Sequence, residues 1–563
     1  MNLSRHTGNC IWRKCAWKND VTVGFSDGGP LSEMDRVFGY ERSLLPYAKQ
    51  IVASGWLIGE LPTRDDVHTM PLDPIPPGLP GCLNVHAVLR DASPAMPYTQ
   101  FAAELISAPK KFHEILKGKM DGSRKRWGSV TAMKWSQHVL QLAQWAVVSE
   151  RPGKSMWRSG IRAWGSYFAI EKNPEVARSI FNGKHTNLLF ETPYSVNICD
   201  PPRVARLVRQ RMGRKKMYCV IVDWRHYFHQ IPLCDGLRNM FGLRLGGTNR
   251  WFRWNTVPMG WSWAPYIAQC IGWHIVLHGQ AAARVPDTKV PPMFVETVKG
   301  GIVFLYYDNV HGYFLDLKEA REFLAQLQRN MSAYNVVPKY CWLYEDIPGP
   351  DAVPKDGEER PLFPEALGIE YCQRRVPRGY DLLWRPCQEK VLRLKSDAVE
   401  RAQSARQVAH VTGRVLYRKL MQYLPQPGGS KMLRILSAAG KYQAKHGWDS
   451  PGFLTTLGEE QIRDLHEAWA EVLANDWISY EAGVRRRVVF VATDASDEGF
   501  GYVIFTPFDS SEGPPARHTP TASYRPEKYP SPLLASTHIY VREIHAACEG
   551  VKRPPSCTPA MRS

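Results

Sequence analysis

The sequence predicts an α+β fold made of several packing units, and three observations carry that expectation. Apolar runs of strand length end in aspartate at Cys219–Asp223, Ile302–Asp308 and Val488–Asp494. Helical stretches rich in Lys and Arg lie between and after these runs. At 563 residues the chain is long for one core, and roughly three or four units are expected.

Composition narrows the class of partner. Lys and Arg number 72 against 54 Asp and Glu, a formal charge of +18, which fits a polyanion such as nucleic acid or an acidic membrane surface. Hydrophobic residues make up 44% and aromatics 11%, enough to build cores and to exclude disorder as the overall state. No apolar run reaches the roughly 18 residues of a membrane span, and MNLSRHTGNCIWRKC lacks the apolar stretch of a secretory signal. The twelve cysteines are scattered without a CxxC pair, which argues against zinc knuckles and a disulfide framework and fits a reducing compartment.

Along the chain, residues 1–100 are rich in Pro and Gly, and PLDPIPPGLPG at 71–81 reads as a spacer without a functional signal. From 101 to 170 the pattern turns helical and basic, with Lys110, Lys111, Lys117, Lys119, Arg124, Lys125 and Arg126 followed by Trp127. Such a cluster is either a solvated face or a phosphate contact with stacked bases. Arg203, Arg206 and Arg209 share one helical side by their spacing, and Arg211, Arg214, Lys215 and Lys216 follow. Residues 218–370 alternate strand-like and helical stretches, with a loop at 351–364. Residues 387–425 read as basic helices closed by QPGGS at 426–430, and a last α/β segment starts near Val488.

The strand–aspartate pattern is the most informative. Apolar runs this continuous suggest strands covered on both faces. A carboxylate at the end of such a strand is costly unless paired or bound to metal. Each Asp either caps a turn or helix, or converges with another into a hard oxygen site suited to Mg2+. Two metal ions in such a site can activate a 3′-hydroxyl and stabilise a leaving oxygen in phosphoryl transfer.

DWRHYFHQIPL at 223–233, FRWNTVPMGWSWAPYIAQ at 252–269 and FLYYDNVHGYF at 304–314 follow one another in the order of motifs A, B and C of reverse transcriptases. The chain resembles that family, most closely its gypsy-like and tyrosine-recombinase retrotransposon branches. The resemblance implies a right-hand polymerase with fingers, palm and thumb, in which Asp223 and Asp308 hold two Mg2+, with Mn2+ as the alternative ion. Phe228 takes the place of the aromatic gate against ribonucleotides. Met259 and Gly260 lie beside the incoming dNTP, and the glycine lets the backbone approach the nascent base pair. In the Tyr-x-Asp-Asp turn of the family this chain has Tyr306, Tyr307, Asp308 and Asn309, so one carboxylate has become a neutral amide.

ARSIFNGKHTN at 177–187 resembles the fingers segment whose arginine touches the incoming nucleotide, here Arg178, with Lys172 as a further triphosphate ligand. VVPKYCWLYE at 336–345 resembles motif D. There Lys339 is either the proton donor to the leaving pyrophosphate or a solvated loop lysine. EALGIEY at 365–371 resembles the primer grip, and the basic stretch from Lys390 to Lys419 the thumb. VATDASDEGFGYVIF and VREIHAA resemble the opening of an RNase H domain, with Asp494 and Glu543 as its first two carboxylates. The sequence as given ends at Ser563 before the other two, so no ribonuclease activity is expected.

The expected organisation is an N-terminal region of unassigned function (1–150), fingers and palm (151–375), a thumb-like helical region (376–430), a connection (431–485) and a truncated RNase H-like α/β segment (486–563). The implied activity is RNA-directed DNA synthesis from an RNA template, a DNA or RNA primer and dNTPs, with no membrane partner. The alternative is a nucleic-acid-binding remnant with weak or no catalysis, which Asn309 and the shortened end suggest.

Overall fold

The computed structural model describes residues 66–92, 96–117, 128–153, 158–173, 175–198, 201–280, 290–353, 360–421, 427–479, 490–495, 500–505 and 520–523. Residues 66–479 belong to one compact unit and the strands from 490 onward to a second.

In the first unit, helices α1 (Val85–Asp91), α2 (Pro97–Ser107) and α3 (Ser136–Gln144) precede strands β1 (Val148–Arg151), β2 (Trp164–Glu171) and β3 (Ala177–Asn182). Then come α4 (Pro201–Met212), β4 (Tyr218–Trp224), the short helices α5 (Tyr227–Gln230) and α6 (Asp235–Arg238), β5 (Gly242–Arg244) and β6 (Trp251–Trp254). Helix α7 (Ala264–Leu277) leads to β7 (Phe294–Glu296), the hairpin β8 (Ile302–Tyr306) and β9 (Asn309–Phe314), α8 (Leu317–Ala333) and β10 (Pro338–Tyr344). The unit closes with β11 (Glu365–Ala366), β12 (Ile369–Val376), β13 (Gly379–Pro386), helices α9 (Gln388–Leu392), α10 (Ala405–Met421), α11 (Pro427–His446) and α12 (Glu459–Ala474), and β14 (Ile478–Ser479).

These strands form three sheets, ordered β1-β6-β5-β2-β3, β10-β4-β9-β8-β7 and β11-β12-β13-β14. The second sheet is antiparallel throughout, and β4 lies inside it between β10 and β9. Its apolar continuity has a direct cause. Val220, Val222 and Trp224 point into one core, with Leu305, Val310 and residues of α7. Cys219 and Ile221 point into another, with Phe304, Tyr313, the α4 residues Val204 and Val208, and Tyr371 and Trp384 of the third sheet. A strand that serves two cores has no polar face to alternate with. Helix α7 is buried at every position except Pro265, so it too shows no amphipathic stripe. Helices α10, α11 and α12 share a core of their own, built around Val408, Val415, Ile435, Leu465 and Trp469.

The second unit holds a three-stranded antiparallel sheet of β15 (Phe490–Ala495), β16 (Phe500–Phe505) and β17 (Pro520–Ser523). Asp494 stands on β15 opposite Gly501.

Several sequence expectations change. The helical reading of 101–170 ends at α3, and β2 occupies 164–171, where Trp164 and Tyr167 face cores instead of following a helical period. QPGGS does not close a helical region: Pro427 starts α11, a position where its missing N–H costs nothing. The run ending in Asp308 stops as a strand at Tyr306, and Asp308 belongs to the hairpin turn. Arg209 is not part of a basic outer face. It is 4% exposed and pairs with Asp381 of β13 at 2.9 Å, joining α4 to the third sheet.

Replacing Arg209 with Ala leaves the Asp381 carboxylate without its buried cation. The expected loss of unfolding free energy is about 3–5 kcal/mol, read by urea denaturation of the full chain; a loss below about 1 kcal/mol contradicts this role.

Candidate active site

Strand β4 ends beside the β8–β9 hairpin in a fixed register. Asp223 lies opposite Asn309, and the Trp224 N–H donates to the Asp308 carbonyl at 2.9 Å. These contacts place Asp308 next to Asp223, although 85 residues separate them in sequence (308 − 223). The turn itself is strained: Tyr307 has φ +55°, left-handed for a residue with a bulky side chain. Gln269 of α7 holds it, its Nε2 donating to the Leu305 carbonyl at 2.8 Å and its Oε1 accepting from the Tyr307 N–H at 3.0 Å. Beneath the turn, α7 approaches closely at Gly272, where a Cβ would sit 2.8 Å from Leu305 Cδ2.

The two carboxylates disturb each other. Burial and the neighbouring Asp223 push Asp308 up to about 6, against the pull of its own backbone N–H, Arg178 and the Asn309 side chain. Asn309 therefore does more than lack a charge, because its side chain also opposes the rise of Asp308. Asp223 is also raised by burial, and Lys339, a hydrogen bond from the Tyr340 hydroxyl, Lys172 and Arg178 oppose that rise. Lys339 sits where the β10–β4 register skips from Pro338 to Tyr340, a bulge that turns its exposed side chain out of the strand pattern.

The remaining sequence candidates fall around this pair. Arg178 is exposed on β3. Lys172, just after β2, is ion-paired with Asp73, and Asp73 also stands 3.7 Å from His226 Nδ1. Phe228, on α5, is half-buried with its ring centroid 6.0 Å from that of Tyr307. Tyr306 and Tyr307 pack edge to face at 5.0 Å. Met259 and Gly260 join the site through β3: the Phe181 N–H donates to the Met259 carbonyl at 2.8 Å. Gly260 has φ +115°, and a Cβ there would lie 1.9 Å from the Phe181 carbonyl oxygen. The glycine is thus already required by backbone packing onto β3, a different reason from the one expected.

Five contributors were missed. Asp73 lies in the stretch read as a spacer, which instead runs beside β3, with the Asp73 N–H bound to the Ala177 carbonyl at 3.0 Å. Asn187 clamps the Gly260 loop by donating to the Gly260 carbonyl at 2.9 Å and accepting from the Ser262 N–H at 3.0 Å. Gln269 was noticed only as a motif position, and Tyr340 not at all. Gln230, inside motif A, bonds the Val337 N–H and carbonyl at 2.8 and 2.9 Å and so fixes the start of β10.

The basic clusters are less free than their count suggested. Lys111 pairs with Glu104 and Glu114, Arg211 with Glu296, Lys216 with Asp346, Lys390 with Glu365, Arg393 with Glu389, Arg401 with Asp397 and Arg406 with Asp449. Lys119, Arg124, Lys125, Arg126, Trp127 and Glu543 lie outside the described residues, as do the side chains of Arg203, Arg206, Lys419 and Asp494.

Among the described residues no group of three or more His, Cys, Asp or Glu is placed to hold a metal ion. Two repelling carboxylates with an adjacent amide oxygen still form a hard donor set short of positive charge. Mg2+ commonly uses one or two carboxylates, with waters and substrate phosphates completing its shell, so the residues fit that ion. No helix among the described residues is long and apolar enough to cross a membrane, and the described cysteines are all free thiols.

No protein-family model and no curated protein matches the chain. Among solved structures it is similar to a foamy viral protease-reverse transcriptase in complex with double-stranded DNA, at 10% identity and TM-score 0.43 over 86% of this chain and 75% of that one. A second such complex gives 11% and 0.42 over 83% and 84%, and one with an RNA/DNA hybrid gives 10% and 0.43 over 83% and 55%. Likeness at this level adds nothing to the chemistry, which stands on the geometry above.

The raised Asp308 makes stability depend on pH. The native state holds this proton up to about pH 6, the unfolded chain only to about 4, so without divalent cations stability falls as pH rises through that window. Asp308→Asn should flatten the fall, measured by chemical denaturation at a series of pH values; an unchanged slope contradicts the assignment.

Proposed function

We propose that this chain is an RNA-directed DNA polymerase of retrotransposon origin, joining dNTPs to a primer 3′-hydroxyl. The carrying observation is the pair Asp223 and Asp308, set side by side by adjacent strands and faced by Lys339, Lys172 and Arg178. Burial and mutual repulsion keep both carboxylates raised despite these cations, which suits a substrate that brings a divalent ion together with its own negative phosphates.

In this reading the sheet containing β4 is the palm, the sheet ending in β3 belongs to the fingers, α10 belongs to the thumb-like region, and most of α11 with all of α12 falls in the connection at 431–485. Mg2+ or Mn2+ held by Asp223 and Asp308 would supply charge neutralisation at the transferring phosphoryl group. The chain's own residues do the rest. Arg178 and Lys172 hold the triphosphate, and Phe228 leaves no room for a 2′-hydroxyl. Lys339, aimed by the bulge, gives a proton to the departing pyrophosphate oxygen. Tyr340 and Asn309 keep the two carboxylates oriented, so positioning supplies much of the rate.

A second reading, a nucleic-acid-binding remnant with weak catalysis, is favoured by Asn309, a neutral amide where a third carboxylate would otherwise stand. Primer extension on homopolymer RNA with Mg2+ separates the two. The polymerase reading expects dNTP incorporation by the native chain. It also expects a loss on the order of 100-fold or more in Asp223→Asn, with template–primer affinity kept. No incorporation by the native chain and by Asn309→Asp alike sinks it, whereas rescue by Asn309→Asp assigns the defect to the missing charge. Phe228→Ala should admit ribonucleotides, and unchanged sugar selectivity removes the gate.

A further inference from the structure

Residues 71–83 form a strap that joins β3 to α5. Its start runs along β3, where the Ala177 N–H donates to the Pro71 carbonyl at 2.8 Å and the Asp73 N–H to the Ala177 carbonyl at 3.0 Å. Its far end runs along α5. There the Gly81 N–H donates to the His229 carbonyl at 2.8 Å and the Leu83 N–H to the Gln230 carbonyl at 3.0 Å. His226 fixes the part between, its Nε2 donating to the Pro74 carbonyl at 3.0 Å. The backbone at Asp73 is therefore anchored on both sides, and its side chain is the part left to turn.

The Asp73 carboxylate accepts from the Lys172 ammonium, and the two side chains are 25% and 33% exposed. The same carboxylate oxygen stands 3.7 Å from His226 Nδ1, but burial pushes that ring down from its ordinary value, so it stays neutral. Lys172 is thus the cation that holds the acid. It also acts on Asp223, whose carboxyl it pulls down together with Lys339 and Arg178. One ammonium therefore faces a strap carboxylate while it remains in electrostatic reach of the carboxylate pair.

We infer that Asp73 is a positioning residue for the triphosphate: it holds Lys172 before substrate arrives and gives it up to the incoming phosphates. The inference rests on the polymerase reading, which takes Lys172 as a triphosphate ligand. A lysine is one compact charge on a flexible stem, so an anchored carboxylate keeps it from ranging through solvent. The same carboxylate repels any anion that approaches this charge, and a partly exposed ion pair is weak enough to exchange. A triphosphate carries several negative charges and outcompetes the acid, whereas a single small anion does not. Asp73 in this way selects polyphosphate over lesser anions.

The test is calorimetric titration of the full chain with inorganic tripolyphosphate in EDTA, a readout that needs neither metal nor polymerase turnover. Asp73→Asn and Asp73→Ser should each bind it about 5-fold more tightly than the native chain, with circular dichroism confirming that both fold. Lys172→Gln should bind it more weakly. Asp73→Asn added to Lys172→Gln should bring little further gain, because the acid acts through the lysine. Weaker binding in Lys172→Gln with unchanged or reduced binding in both Asp73 variants overturns the role of Asp73 and leaves the polymerase reading standing. Equal binding by the native chain and Lys172→Gln overturns the proposal together with the Lys172 assignment of that reading. A gain from Asp73→Asn that persists in full without Lys172 overturns the proposal alone.

Discussion

The site depends on one constraint, the register of β4 against β9. Antiparallel pairing sets Asp223 opposite Asn309, and one backbone bond from Trp224 to the Asp308 carbonyl locks the hairpin turn to the strand end. A slip of one residue would turn Asp223 to the other face of the sheet, because side chains alternate with period two. Two cores prevent the slip, since each face of β4 is filled by a different set of apolar side chains. The carboxylate pair is therefore held together by hydrophobic packing on both sides, against its own repulsion.

That repulsion is eased locally but not removed. The Tyr340 hydroxyl and the Asn309 side chain each hold one carboxylate down, and Lys339, Lys172 and Arg178 add charge from three different segments. Lys172 is itself steadied by Asp73, so the cationic ring is anchored and not simply solvated. Helix α7 carries the strained turn through Gln269, and its close approach at Gly272 leaves the hairpin little room to move. The strain at Tyr307 is sustained because these contacts over-determine the turn.

The carboxylates were legible in the sequence because strand-length apolar runs and terminal aspartates are local patterns. So were Phe228, Met259 and Gly260, by their motif positions, although the packing of Gly260 onto Phe181 was not. What stayed hidden is non-local. Asp73 sits in a Pro-rich stretch with no periodicity, and only the run of that segment beside β3 brings it to Lys172. Asn187 and Gln230 bond loop backbone far away in sequence, and no spacing rule marks them. The charge count misled for the same reason: many Lys and Arg residues meet partners that only the fold supplies, and Arg209 is buried outright.

The chemistry of the site depends on whether the pair Asp223–Asp308 is short of positive charge that a divalent ion supplies. Thermal unfolding of the full chain at pH 7, with and without millimolar Mg2+, measures this directly. The native chain should melt higher with Mg2+, and Asp223→Asn and Asp308→Asn should each lose most of that increase. An equal Mg2+ effect in all three proteins, or none in the native chain, would contradict it.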